Sequence, residues 1–140
     1  MNLTIVEELH ALNFSVAEKP FPEIAMQLGA AGVQSYRADL VRLEETYYGR
    51  DGTTRVAPMP LGDPPAIAAD FSTDAVIMAL RAIQRQEIRY PEFLRRIMRA
   101  GTACYAVFLG GRKAVYTGLD GSTYVENFPA ALQIPQPRAA

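Results

Sequence analysis

Asp39 and Glu44 are the side chains whose type and spacing come nearest to equipment for chemistry. A tight turn at Val41-Arg42 would set them directly opposite each other on neighbouring strands. Arg37, Tyr48 and Arg55 would then fall on the same sheet face. Two close carboxylates can hold a cation, or split their proton affinities so that one serves as an acid. The arginines beside them would clamp an anionic group. The spacing therefore gives a ligand-binding set of Arg37, Asp39, Glu44, Tyr48 and Arg55, with Asp39 or Glu44 as acid/base in an enzyme reading. The same residues also fit a solvated sheet face on which the arginines neutralise both carboxylates and Tyr48 stacks on Arg55.

A second set is basic. Arg81, Arg85 and Arg89 recur every four residues, and Arg95, Arg96 and Arg99 follow on the next helical stretch. Arg81, Arg85, Arg95 and Arg99 would form an anion-binding surface if their helices pack together. Two solvated helix faces, paired with Glu87, Glu92 or the acidic first half, are the plainer reading. Few aromatics interleave these arginines, so nucleic acid is not expected as a partner. Tyr36, Tyr47, Tyr105 and Tyr116 could line a pocket with their hydroxyls, but aromatics at core-facing strand positions are first of all packing. His10 stands alone as a histidine on an amphipathic helix and is read as exposed. Cys104 has no histidine near it in sequence and reads as a quiet buried thiol. No metal site and no cofactor is implied.

The elements that must position these residues come in two copies. Phe21–Pro60 and Tyr90–Pro129 align without a gap at an offset of 69, matching at thirteen of forty positions. Among the matches are Pro22/Pro91, Gly32/Gly101, Tyr36/Tyr105, Tyr47/Tyr116, Asp51/Asp120 and Gly52/Gly121. Each copy reads as a helix opened by proline and closed by glycine, then three strands. A further helix precedes each copy, over Leu3–Leu12 and after a cap at Ser72 or Thr73. Pro58 to Pro65 can be neither helix nor central strand and begins a connector over 58–69. The expectation is an α+β fold in which two α-α-β-β-β units share an antiparallel sheet, with helices packed on one face. Residues 1–129 would form one domain, with repeats over about 1–60 and 70–129 and a flexible tail over 130–140.

Two-residue turns at Val41-Arg42 and Asp51-Gly52 set an expected register. Tyr36 then faces Tyr47, Tyr47 faces Val56, and Tyr105, Tyr116 and Val125 repeat the row. Tyr36, Ala38, Leu40, Tyr47, Thr54 and Val56 would face the helices, with Glu45 an anomaly among them. The opposite face carries Arg55 in the first copy and Tyr124 in the second. There Ala106, Phe108 and Val115 form an apolar patch expected to meet the tail or another subunit.

Bulk properties set the outer bounds. The 140 residues carry a net charge of −1, which offers no general attraction to nucleic acid or anionic membrane. Residues 1–70 hold five Lys/Arg against ten Asp/Glu, and residues 71–140 nine against five, so the chain is dipolar. A single cysteine allows no internal disulfide. The first residues lack a signal-peptide pattern, and no window suits a membrane span, so a cytoplasmic location is expected.

The strings FPEIAMQLGAAGVQSYRADL, TYYGRDG and YPEFLRRIMRAG, in this order and spacing, resemble a family of small bacterial proteins of unknown function often labelled "phage envelope protein". The likeness spans about Leu3 to Pro129. It implies a compact α+β domain and supplies no catalytic residues. The leading functional expectation is a non-enzymatic binding or interaction module. Its partner would be a second copy of itself or a small anionic ligand. A small-molecule enzyme or a phage-derived structural protein is the alternative.

Overall fold

The computed structural model describes residues 1–135. Its elements run α1 (Leu3–Leu12), α2 (Phe21–Ala30), β1 (Val33–Asp39), β2 (Glu44–Gly49) and β3 (Thr54–Pro58), followed by α3 (Thr73–Gln84), α4 (Tyr90–Arg99), β4 (Thr102–Phe108), β5 (Lys113–Gly118) and β6 (Thr123–Asn127). Two similar α-α-β-β-β units thus follow one another. The bounds of α2, β1, β2 and β3 recur in α4, β4, β5 and β6 at the same offset of 69.

Local chemistry explains the starts and stops. Asn2 caps α1 by accepting from the Ile5 N–H, and Ser72 caps α3 by accepting from the Ala75 N–H. Proline occupies the first turn of α2 and α4, where its missing N–H costs nothing. Both helices end two residues before a glycine in the left-handed region, Gly32 at φ 93° and Gly101 at φ 94°. From there the chain turns at once into β1 or β4.

The six strands form one antiparallel sheet in the order β3-β2-β1-β4-β5-β6. The units meet where β1 pairs β4, and the register there is telling: Arg37 faces Ala106, and 106 − 37 = 69. The pair Tyr36/Val107 is then the counterpart of Ala38/Tyr105, as a twofold axis through Arg37 and Ala106 requires. The helical side buries Tyr36, Ala38, Tyr47, Tyr105, Val107, Ala114 and Tyr116 against Ile24, Leu28, Val76, Leu80, Phe93 and Ile97. The connector adds Met59 and Leu61 to this core. At about 25 cal/mol per Å² of apolar surface, such burial is the main source of stability.

One part of the expected register is corrected. Tyr36 does face Tyr47, Tyr105 does face Tyr116, and Asp39 does face Glu44. However, Tyr47 faces Arg55 and Tyr116 faces Tyr124, not Val56 and Val125. The Asp-Gly loops hold three residues instead of two: the Gly49 N–H donates to the Thr53 carbonyl and the Gly52 N–H to the Gly49 carbonyl, with Gly52 at φ 85°. This is the three-residue hairpin ending in a left-handed glycine. A one-residue slip exchanges the two faces of the outer strand. Arg55 and Tyr124 accordingly lie on the helical side, whereas Val56 and Val125 are solvent-exposed on the other.

Of the segment 130–140, Leu132 is buried and Ile134 lies against Gly29 on α2, while residues 136–140 lie outside the described residues.

Candidate functional site

Glu45 is the anomaly on the helical face, and its surroundings explain it. Its carboxylate is 1% exposed yet fully supplied with donors. The Tyr47 hydroxyl donates to Oε1 at 2.7 Å, His10 Nδ1 lies 3.1 Å from the same oxygen, and the Tyr90 hydroxyl donates to Oε2 at 3.4 Å. His10 also sits 2.9 Å from the Tyr47 hydroxyl through Nδ1 and 2.7 Å from the Pro58 carbonyl through Nε2. The carbonyl only accepts, so Nε2 carries a proton. The Tyr47 proton is committed to Glu45, so Nδ1 must carry one too. His10 is thus an imidazolium buried beside a carboxylate. Burial alone would lower its proton affinity, but the bond to Glu45, the charge of Glu45 and the Pro58 carbonyl outweigh it and raise the pKa above 6.5.

α1 supplies the histidine, β2 the carboxylate and β3 the carbonyl, so this pair ties the first helix to the outer strands. His10 was expected to be exposed; it is 8% exposed, because α1 turns that position toward the sheet. Helical periodicity placed His10 on an amphipathic helix without saying which residues meet it. The one signal in sequence was Glu45, a charge among core-facing positions.

Beyond Tyr90 the network reaches open space. The Tyr90 hydroxyl makes a short hydrogen bond with that of Tyr105, and both side chains line a cavity of about 620 Å³ between the helices and the sheet. Tyr36, Val107, Ala114 and Tyr116 form its sheet wall. Pro20, Phe21, Pro22, Ile24, Leu80 and Phe93 form its helical wall, and Phe128 and Leu132 close it from the chain beyond β6. Arg81, Gln84 and Glu126 stand at its edge, where Arg81 Nη1 donates to Glu126 at 2.5 Å and Gln84 Nε2 at 2.9 Å. Burial works against the Glu126 charge, but the bonds from Arg81, Tyr124 and Gln84 hold its pKa below the usual carboxylate range. The room has a simple origin. Ala114 stands at the position that Glu45 fills in the first unit, and its methyl leaves the space open.

All the cavity tyrosines are kept in their neutral form. Burial raises the hydroxyl pKa of Tyr36 and Tyr90 well above the ordinary value, with the Glu45 charge adding to it. Burial and then Tyr90 do the same for Tyr105, and burial with the Glu126 charge does so for Tyr116. Among the described residues the Tyr36 and Tyr116 hydroxyls have no hydrogen-bond partner, and both side chains line the cavity. The site therefore combines apolar walls with convergent polar groups, the usual constitution of a small-molecule pocket.

The chain is similar to uncharacterized protein Mb2035 of Mycobacterium bovis, being 34% identical over 110 residues that cover 79% of this chain and 67% of that protein. Uncharacterized proteins MT2067 and Rv2012 of Mycobacterium tuberculosis match to the same extent. The chain belongs to the family of these uncharacterised proteins. No family model matches the chain. The names of these relatives carry no activity.

The residues singled out in sequence are only partly assembled. Asp39 and Glu44 face each other as expected, and Tyr48 lies on the same side of the sheet. Asp39 Oδ1 is engaged by the Val41 and Arg42 N–H groups, both at 3.0 Å, as a turn-closing side chain. Glu44 pairs with Arg42 at 2.5 Å. Arg55 does not join them. It sits across the sheet and pairs with Glu7 of α1, and Thr54 takes its expected place opposite Tyr48. The cavity lies on the helical side, away from Arg37, Asp39, Glu44 and Tyr48.

Five arginines of the basic set, Arg81, Arg85, Arg95, Arg96 and Arg99, are engaged within the chain. Arg81 binds Glu126, Arg85 pairs with Glu87 at 2.8 Å, and Arg95 donates to the Gly62 carbonyl at 2.7 Å. Arg95, Arg96 and Arg99 also surround Glu92 at 3.3 to 3.8 Å. On the far sheet face Ala106, Phe108 and Val115 are half-buried. Of the described tail residues, Ile134 and Pro135 pack at Gly29 of α2, and residues 136–140 lie outside the described residues. No helix among the described residues is long and apolar enough to cross a membrane, and no cluster there could hold a metal ion.

Proposed function

We propose that this protein is a binding module for a small, largely apolar molecule, held in the cavity between the helical layer and the sheet. The observation that carries this reading is the cavity of about 620 Å³, within the size range of small-molecule sites and walled by aromatic and aliphatic side chains. Its tyrosine hydroxyls supply polarity without charge, and Arg81 and Glu126 at its edge pair with each other, while Lys19 and Arg89 also line it. The aromatic and aliphatic walls favour a largely apolar ligand over a small, strongly hydrated anion, and the two further cations admit one with an acidic end. An anion at Arg81 would have to displace Glu126. An enzyme built on Asp39 and Glu44 gains no support from a pocket on the opposite face. The phage label and a cytoplasmic location stay outside this proposal, since the cavity bears on neither.

The test is titration with the fluorescent probe 8-anilinonaphthalene-1-sulfonate, comparing the natural protein with Ala114→Trp, which pushes a large ring into the cavity. Saturable binding at one site per chain is expected, and it should be lost in Ala114→Trp while the circular dichroism spectrum is kept. Absence of saturable binding, or binding indifferent to the substitution, rejects the reading.

A further inference from the structure

The cavity is connected to the buried ion pair, and the direction of that connection selects a ligand class. Glu45 Oε1 receives Tyr47 and His10, so Oε2 depends on Tyr90 for its donor. A buried carboxylate oxygen without a donor would carry the full desolvation penalty. The Tyr90 proton is therefore committed to Glu45. In the Tyr90–Tyr105 bond the donor must then be Tyr105, because Tyr90 has no second proton to give. Tyr105, which lines the cavity, has thus spent its proton and offers only lone pairs.

Resting on the binding reading above, we infer that the cavity selects apolar molecules carrying a hydroxyl or N–H donor, seated against the Tyr105 oxygen. A hydroxyl suits the site better than an amine. It can donate to Tyr105 and also accept from Tyr36 or Tyr116, whose hydroxyls have no hydrogen-bond partner among the described residues. An ether of the same shape can accept but cannot donate, and it leaves the Tyr105 lone pairs facing an apolar group.

The pair 2-naphthol and 2-methoxynaphthalene isolates this difference in isothermal titration at neutral pH. Preference for the naphthol by about five- to tenfold is expected, the range one net hydrogen bond supports. Tyr105→Phe should abolish the preference. Tyr90→Phe should narrow or reverse it, because Tyr105 then recovers a proton to donate into the cavity. A purely structural role for Tyr90 would weaken both ligands alike. Equal affinity in the natural protein, or a preference that survives Tyr105→Phe, overturns the inference while leaving the binding reading intact. Binding of neither compound would remove both.

Discussion

His10 and Glu45 form a charged pair in a place where charge is expensive. Removing one member strands the other. His10→Ala is expected to lower the unfolding free energy by about 3–5 kcal/mol in urea titrations, the usual cost of an uncompensated buried charge. The pair also sets a pH dependence. The folded-state pKa of His10 is raised above 6.5, so its contribution is fully present below that unfolded-state value. It is lost as pH rises through the folded value. Melting temperatures followed from about pH 6 to about pH 9 should therefore fall further in the natural protein than in His10→Gln. A parallel fall in both would remove His10 as the cause. Thr102 is the opposite case. Its hydroxyl is buried with no hydrogen-bond partner among the described residues, and the equivalent residue of the first unit is Val33, equally buried. Thr102→Val removes an unsatisfied group at nearly constant shape, so a stabilisation of about 1 kcal/mol is expected in thermal melts.

At the scale of the elements, two glycines with the same backbone sign do different work. Gly101 must take φ 94° at the end of α4, and a Cβ there would lie 2.3 Å from the Asp70 carbonyl oxygen. Gly52 takes φ 85° in its hairpin loop with nothing within 4 Å of a Cβ. Gly52→Ala should therefore cost only the left-handed strain, about 1–2 kcal/mol. Gly101→Ala adds a backbone collision and should cost clearly more, as denaturant midpoints would show. These loops also mark where sequence reasoning stopped. The Ser72 cap, the proline and glycine punctuation and the inner register around Tyr36 and Tyr47 were legible, since each depends on neighbours along the chain. The outer strands were not. Asp-Gly fits both a two-residue turn and the last two positions of a three-residue one, and only the Gly49–Thr53 bond decides between them. From that single residue follow the misplacement of Arg55 and Tyr124 and the false unity of the acidic face. The cavity was illegible for a different reason, because its walls come from both units and meet only after folding.

For the whole molecule the decisive feature is the seam between β1 and β4. Its central pair, Arg37 and Ala106, tests how the units are held. Ala106→Arg sets two guanidinium groups face to face and should destabilise the protein by up to about 1 kcal/mol. Ala106→Glu should stabilise it by a similar or smaller amount, an effect that added salt should erode. Identical melting of both variants at low salt would mean that the seam register differs from that described.

Because the pairing there is symmetric about Arg37 and Ala106, each unit offers its neighbour an edge of the same design. The connector is anchored through Met59, Leu61 and the Gly62 carbonyl. Were it shortened until it could no longer fold back, the first unit of one chain would have to find the second unit of another. The expected product is a swapped dimer with two six-stranded sheets and two cavities, each sheet and each cavity built from residues of both chains.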